Sequence, residues 1–294
     1  MVLLQAVEEE KVKELGRFFY YRILSKFLTG FLLLALLIFP IGKLGAQSDS
    51  KESPTEHQWL YGVGHANVLD TYLSPIEYAG LQLGVWHRSE RKANWGHQKV
   101  TVQGFFGGDL SALQAKSDRD KAWDGRFLAS GGWHYNWYPF ANSRVGVGGL
   151  AEVSAGFTYL LKGGNNPAQA RLGCQVMASA FWEHHFRLRM RRLSVRLQAE
   201  VPLMGLMFSP SYGQSYYEIF SLGHYERNVR CIHPANAPSF RLQTLLSVPL
   251  RKSMLTVGYM GDVRQSHVNG LKHHAWKHSF VIGYTRRLLL LSNK

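Results

Sequence analysis

Cysteine, acidic residues and long apolar runs are all scarce in this sequence of 294 residues. Two cysteines, Cys174 and Cys231, cannot form the multi-bridge framework of a small disulfide-rich domain, and whether they pair stays open. Lys and Arg outnumber Asp and Glu by 34 to 20, so the formal net charge is +14. A surplus of this sign favours anionic neighbours, such as nucleic acid, phosphate-bearing surfaces or anionic solutes.

The one long apolar run lies near the N-terminus, at residues 27–39. Basic residues precede it at 17–26, and small residues follow it at 44–46. This order is typical of a secretory signal peptide, and the run is short for a membrane-spanning helix. We therefore expect residues 1–46 to be a signal peptide, with an uncleaved N-terminal anchor as the alternative. Export removes the chain from nucleic acid, so we expect no nucleic-acid partner.

Most of the remaining chain alternates between apolar and polar residues. In 192–203 (RLSVRLQAEVPL), every second residue is apolar. Because successive side chains of a strand point to opposite faces, this segment reads as a strand with one apolar and one charged face. Nine further segments repeat the pattern: 59–66, 79–88, 99–109, 126–137, 145–159, 172–183, 240–248, 255–263 and 277–287.

Three features favour a membrane barrel over a soluble sheet. Several segments exceed ten residues, and a tilted strand needs about nine to eleven to cross a bilayer. The polar face carries Gly and charges of both signs, as a narrow lumen requires. Aromatic residues gather near strand ends, for example at 133–140, as at a lipid–water interface. We predict an all-β fold: a transmembrane, antiparallel, up-and-down β-barrel of about ten strands over 59–290, after a periplasmic linker at 47–58.

Two alternatives to this barrel stay open. Twelve strands would result if the segment 204–238 hides a hairpin. A soluble exported β-barrel that binds a small apolar ligand would also show period-two alternation.

The connections between the predicted strands sort into two sets. With the N-terminus in the periplasm, short turns fall on the periplasmic side and mostly longer loops outside, as in bacterial outer-membrane barrels. We therefore expect an outer-membrane location, with outer-membrane lipids and lipopolysaccharide as neighbours. The predicted periplasmic turns are 91–97, 138–143, 186–191 and 250–253, and the predicted outward loops are 67–75, 110–123, 161–168, 204–238 and 264–274.

The outward loop 204–238 is dense in Tyr, Met and Phe, and it also contains Arg227, Arg230 and His233. Aromatic residues mixed with cations suit a binding surface or a plug folded into the lumen. A loop that merely caps the barrel is an equal alternative.

Charged residues of both signs lie on the predicted inner face. Because a ten-stranded barrel is narrow, we expect them to interlock as a packed plug, with any passage limited to small anions. This predicted lumen network comprises Arg88, Asp109, Arg126, Glu152, Arg171, Glu183, Arg192, Arg196, Glu200, Arg241, Asp262 and Arg287.

The stretch DVRQSHVNG (262–270) raises a catalytic alternative, an outer-membrane lipid acyl hydrolase in which a His activates a Ser. Ser266 and His267 are adjacent and would diverge in a strand, so His267 with Ser279 is the better pairing. Neither an orienting third group nor an oxyanion site is recognisable, so we expect no enzymatic activity. Adjacent histidines diverge in the same way, and we expect no metal site and no cofactor.

The segments VLDTYLSPIEYAG (68–80) and VNGLKHHAWKHSFVIGY (268–284) resemble a family of uncharacterised Gram-negative outer-membrane β-barrels that carry a domain of unknown function. The resemblance covers nearly all of the chain after the signal peptide. It implies the barrel and the outer membrane, and it carries over no catalytic residue. The sequence therefore predicts an integral outer-membrane protein that is structural, binds a ligand, or forms a narrow channel.

Overall fold

The computed structural model describes residues 54–288 except 98, 118–119, 163–166 and 252, and it leaves out the side chains of 287 and 288. The predicted signal peptide and most of the predicted linker lie outside these residues. The elements are β1 (Thr55–Asp70), β2 (Ser74–Lys92), β3 (Val100–Ala115), β4 (Lys121–Phe140), β5 (Ser143–Leu160), β6 (Ala168–Leu188), β7 (Arg191–Phe208), α1 (Tyr216–Phe220), β8 (Val229–Ile232), β9 (Ser239–Pro249), β10 (Met254–Val268) and β11 (Leu271–Leu288).

Ten of these strands form a closed antiparallel barrel. β1 to β7 pair in chain order, β9 to β11 do the same, and the ring closes where β1 pairs with β11 and β7 with β9. The predicted fold class is thereby confirmed. The twelve-strand alternative is wrong, because the segment 204–238 adds only the four-residue β8, which pairs with the end of β7.

The two faces of each strand differ as the alternation predicts. In β7, Leu197 and Val201 point outward and are exposed, whereas Arg196 and Glu200 point inward and are buried. The outer wall is therefore an apolar surface far larger than a water-exposed protein surface tolerates, and it suits contact with lipid. Exposed apolar side chains of this wall include Val63, Leu81, Leu83, Val85, Phe127, Val147, Val176, Leu203, Phe280 and Ile282.

Part of the interior is apolar, which the alternation does not predict. Trp86 is the largest side chain of this layer, and a Cβ added at Gly62 would lie 2.6 Å from Cζ3 of its indole. Gly84 leaves even less room, so these two inward-facing glycines create the space that the indole fills. The apolar layer consists of Leu60, Trp86, Phe105, Leu128, Leu245, Met260 and Val281.

The strands are longer than predicted, and the loops are correspondingly shorter. β1 begins at Thr55, inside the predicted linker 47–58, and β10 and β11 are joined by a two-residue turn at 269–270. The hydrogen-bonded ladder thus continues where the apolar alternation has ended, since both faces of the strand can be polar there. Among the connections that the structure describes, only 209–238 is long, so the predicted length asymmetry rests on one connection. None of the described helices is long and apolar enough to cross a membrane.

Cys174 and Cys231 lie on either side of Leu206, one on β6 and one on β8. Two strand spacings place their Cα atoms about 10 Å apart, beyond the reach of about 7 Å that a disulfide allows. Both thiols are free. We expect the chain, denatured without reductant and alkylated, to gain two adducts by intact mass. A chain that gains none would show that the cysteines are bridged and that this strand register is incorrect.

Candidate functional site

Ion pairs fill the lumen in three clusters, which we order from the base of the barrel, where β1 begins, to the mouth at the opposite end. The base cluster comprises Glu90, Arg144, Glu183 and Arg196. The middle cluster comprises Arg126, Glu152, Glu200, Arg241, Asp262 and Arg264. The mouth cluster comprises Asp70, Asp109, Asp124, Arg171 and Lys277.

In the base cluster, two arginines and two carboxylates form a closed square. Arg144 contacts Glu90 at 2.7 Å and Glu183 at 2.6 Å, and Arg196 contacts the same two carboxylates at 2.9 and 3.1 Å. The ring of Phe181 packs against both guanidinium groups, with its centroid 3.9 Å from Cζ of Arg196 and 4.8 Å from that of Arg144. Each charge thus has two opposite neighbours, and both guanidinium groups also contact an aromatic ring, an arrangement that holds all four side chains in place.

In the middle cluster, arginines and carboxylates alternate across the lumen. Arg241 donates from Nη1 to Glu152 at 2.8 Å and from Nε to Glu200 at 2.7 Å. Arg264 donates to the other oxygen of Glu152 at 2.8 Å and to Asp262 at 2.9 Å. Because each arginine bridges two carboxylates, no single side chain can leave this cluster without stranding a buried charge.

The mouth cluster is built around Lys277. Its Nζ donates to Asp124 at 2.6 Å and also contacts Asp109, and the side chain is 2% exposed. Arg171 then joins Asp124, at 2.5 Å, to Asp70, at 2.8 Å. Asp70 also accepts from the backbone N–H of residue 72, so this carboxylate both forms the β1–β2 turn and closes the mouth.

The lumen between these clusters is closed. A cavity bounded by Gln82, Trp86, Asp109, Arg126 and Met260 has a volume of about 10 Å³. That volume holds about one water molecule. Charged and apolar side chains together therefore fill the described interior as a plug.

Ten of the twelve side chains that the sequence places in the lumen lie there: Arg88, Asp109, Arg126, Glu152, Arg171, Glu183, Arg196, Glu200, Arg241 and Asp262. The side chain of Arg287 lies outside the described residues. Arg192 does not face the lumen but is exposed at the base. The reason is that the barrel wall ends before it, since β9 pairs with β7 only from Ser194 onward.

Sequence reasoning missed six of the fifteen side chains in these clusters: Asp70, Glu90, Asp124, Arg144, Arg264 and Lys277. Glu90, Asp124, Arg144 and Arg264 each lie one or two residues beyond a predicted strand end and continue its alternation. Extending the period-two pattern past the last apolar residue would have found them. Lys277 falls within a predicted strand, on its polar face, but no local signal marks it as the partner of two aspartates.

The structure does not bring the three candidate catalytic residues together. Ser279 is buried in the lumen and donates to Gln82 at 2.9 Å. Ser266 lies on the inner face of β10, whereas His267 is exposed on the outer face. His267 and Ser279 therefore lie on opposite sides of the barrel wall. Among the described residues, no group of three or more His, Cys, Asp or Glu is placed to hold a metal ion.

Residues 209–238 fold into a cap at the mouth. The helix α1 starts with a capping box, in which Ser215 Oγ accepts from the N–H of Glu218 at 3.2 Å and the Glu218 carboxylate accepts from the N–H of Ser215 at 2.6 Å. These hydrogen bonds hold the pKa of Glu218 below its ordinary value. Phe208, Tyr216 and Phe220 stack with centroids 6.0 to 6.4 Å apart, so the cap has a small aromatic core of its own.

Hydrogen bonds to the β1–β2 turn, to β6 and to the β10–β11 turn anchor the cap to other parts of the mouth. The hydroxyl of Tyr72 donates to the carbonyl of Gln214 at 2.9 Å, and burial raises the pKa of Tyr72 to about 12. Tyr216 accepts from the N–H of Ala170 at 2.7 Å, and Asn269 donates to the carbonyl of residue 209 at 2.9 Å. The cap is therefore an ordered structure rather than a free loop.

The cap exposes aromatic side chains and charges of both signs, with Glu226 beside Arg227. Tyr212, Tyr217 and Tyr225 are each at least 65% exposed, which is unusual for tyrosines in an ordered segment. The exposed side chains of Arg227 and Arg230 lie in the same segment. Exposed aromatic rings with neighbouring cations make this the part of the described chain that most resembles a recognition surface.

Several solved outer-membrane structures are similar in fold and distant in sequence. The outer membrane protease OmpT from Escherichia coli is 7% identical, covering 84% of this chain and 99% of that one at a TM-score of 0.39. The translocator domain of the autotransporter NalP from Neisseria meningitidis is 11% identical, covering 82% and 90% at a TM-score of 0.39. Ail of Yersinia pestis is 10% identical, covering 80% and 99% at a TM-score of 0.33.

No curated protein matches the sequence. Residues 31–294 match a family described as Protein of unknown function (DUF3316), and this range includes the whole described barrel. The resemblance drawn from 68–80 and 268–284 is thereby confirmed. The chain belongs to the family Protein of unknown function (DUF3316).

Proposed function

We propose that this protein resides in the Gram-negative outer membrane and binds a cell-surface ligand through its cap, while its lumen serves as a structural plug. The apolar outer wall supports the membrane location, and the basic, apolar and small residues before position 47 support export. With the base in the periplasm, where the exported N-terminus would lie, the cap faces the exterior.

The closed lumen is the observation that favours a binding protein over a channel. The three ion-pair clusters and the apolar layer leave room for about one water molecule in the cavity beside Trp86. Opening a path would require arginines such as Arg241 to leave two carboxylates each, at a large electrostatic cost. A narrow channel for anions is therefore the less supported function.

The composition of the cap indicates the chemistry of the ligand. Tyrosine rings pack against sugar faces, and arginine forks bind phosphate in bidentate fashion. Lipopolysaccharide offers both groups at the outer surface, and the exposed Tyr212, Tyr217, Tyr225 and Arg227 could contact it. Lipopolysaccharide is accordingly the ligand class that we propose.

Deleting the cap should separate binding from folding. The N–H of Ser209 donates to the carbonyl of Asn228 at 2.8 Å, so residues 211–226 can be replaced by two glycines without opening the β7–β8 pair. We expect the barrel to fold, as shown by faster migration of the unboiled protein in a detergent gel. Its affinity for purified lipopolysaccharide should fall at least tenfold, because the exposed tyrosines are gone.

A milder variant serves as the matched test. Tyr212→Ser, Tyr217→Ser and Tyr225→Ser together leave the anchors of the cap in place and should lose affinity to a similar extent. Unchanged binding in both variants would refute recognition by the cap. A steady conductance of the intact protein in planar bilayers would refute the plugged lumen.

A further inference from the structure

The β6–β7 hairpin projects beyond the barrel wall at the base. β5 pairs with β6 only as far as His184, and β9 pairs with β7 only from Ser194. Beyond these points the two strands pair with each other, apart from one hydrogen bond from the N–H of His185 to the carbonyl of Asn142. A two-residue turn at 189–190 joins them. Four further residues of β6 extend this hairpin about 13 Å along the strand. We call residues 185–194 the basic hairpin.

Four arginines occupy this short projection. Arg187, Arg189, Arg191 and Arg192 are exposed, and in the described structure none of them forms an ion pair with a carboxylate. Arg187 lies directly opposite Arg192 in the register. Like charges in directly opposed positions destabilise a strand pair. The basic hairpin therefore carries an electrostatic cost that a bound anion would relieve.

The outward face of the basic hairpin continues the apolar wall of the barrel. The rings of Trp182, His184 and Phe186 stack along β6 with centroids 5.7 and 6.3 Å apart. Leu188 follows on the same face at 61% exposure, and Met190 at the tip is 98% exposed. Apolar and aromatic side chains beside arginines are typical of the boundary between acyl chains and head groups. This continuity favours a lipid surface over a free anion.

We propose that the basic hairpin binds the phosphate groups of anionic phospholipid in the leaflet at the base of the barrel. Guanidinium forks bind phosphate oxygens in pairs, and four of them on one projection can engage more than one head group. The exposed Arg91, Arg251 and Arg286 at the same end add to the positive field. The inference rests on the proposed membrane insertion, but it is independent of the cap and its ligand.

Native mass spectrometry of the full chain in neutral detergent tests this proposal. Phosphatidylglycerol or phosphatidylcholine is added, and the number of retained lipids is counted. We expect the intact chain to retain phosphatidylglycerol about tenfold more strongly, and we expect R187Q/R189Q/R191Q/R192Q to lose that preference. The matched control K116Q/K121Q/K162Q/K272Q removes four exposed charges from the mouth and should keep it.

Two further measurements test whether the charge of the basic hairpin is what binds the lipid. R187K/R189K/R191K/R192K retains the charge and should retain most of the binding, which covers the case in which the glutamine variant fails to fold. Raising the salt should weaken retention by the intact chain, since the arginines are exposed. The proposal would be overturned if R187Q/R189Q/R191Q/R192Q and the mouth control K116Q/K121Q/K162Q/K272Q lost phosphatidylglycerol binding equally. Retention that does not depend on salt would also overturn it. The cap-deleted chain should bind phosphatidylglycerol normally, so failure of the cap experiment leaves this one intact.

Discussion

Replacing Arg241 with leucine should destabilise the barrel by about 3–5 kcal/mol, the loss expected when one partner of a buried ion pair is removed. Arg241 is 2% exposed and is bonded to both Glu152 and Glu200, so the change leaves two carboxylates without this cation in the lumen. The Phe105 ring, whose centroid lies 5.1 Å from Cζ of Arg241, would lose its cation as well. Equilibrium unfolding by urea in lipid vesicles measures the effect.

A matched substitution at an exposed arginine provides the control. Arg230→Leu removes the same charge from the cap, where no partner carboxylate is stranded, and should change the unfolding free energy by less than about 0.5 kcal/mol. The double variant R241L/E200L removes a cation and an anion together and should recover part of the loss. If R241L unfolds at the same urea concentration as the native chain, the ion pairs of the lumen do not stabilise the barrel.

Placing arginine on the outer wall should impair insertion. Val201 points outward from β7 and lies opposite Ala178 of β6, beside the middle of the lumen where Glu200 binds Arg241. Val201→Arg should therefore cost about 2–4 kcal/mol, as for a cation near the centre of a bilayer. The folded fraction after dilution from urea into preformed vesicles, scored by gel migration without boiling, measures this cost.

An arginine substitution in the cap serves as the control. It shows whether a loss of folding comes from placing the charge in lipid or from the arginine side chain itself. Leu222→Arg introduces the same charge at a position in the cap that is exposed to water and should fold like the native chain. If Val201→Arg and Leu222→Arg fold equally well, the outer wall of β7 does not face lipid.

Period-two alternation was sufficient to predict the all-β barrel and the side of the wall on which most charges lie. In β7, the apolar Leu197 and the charged Arg196 lie on the faces that their positions predict, because successive side chains of a strand point to opposite faces. The same rule explains why Ser266 and His267 diverge.

Strand ends were harder to predict, for a physical reason. Apolar alternation reports contact with lipid, but the hydrogen-bonded ladder continues wherever two strands stay adjacent. Glu90, Asp124 and Arg144 lie in that continuation, so a reading based on apolar residues stops just short of them. The error at Arg192 is the converse, because the alternation continues there after the neighbouring strand has ended.

The fold class, the inward face of each long strand and the excess of positive charge could all be predicted from the amino-acid sequence, since each depends on local order or on composition. The ion-pair partners could not be predicted in this way, because most of them lie on strands that are distant in the chain. Lys277 on β11 meets Asp124 on β4 because closure of the ring brings distant strands to face each other across the lumen. The apolar layer around Trp86 and the anchored cap depend likewise on contacts between segments far apart in the chain, which strand periodicity does not encode.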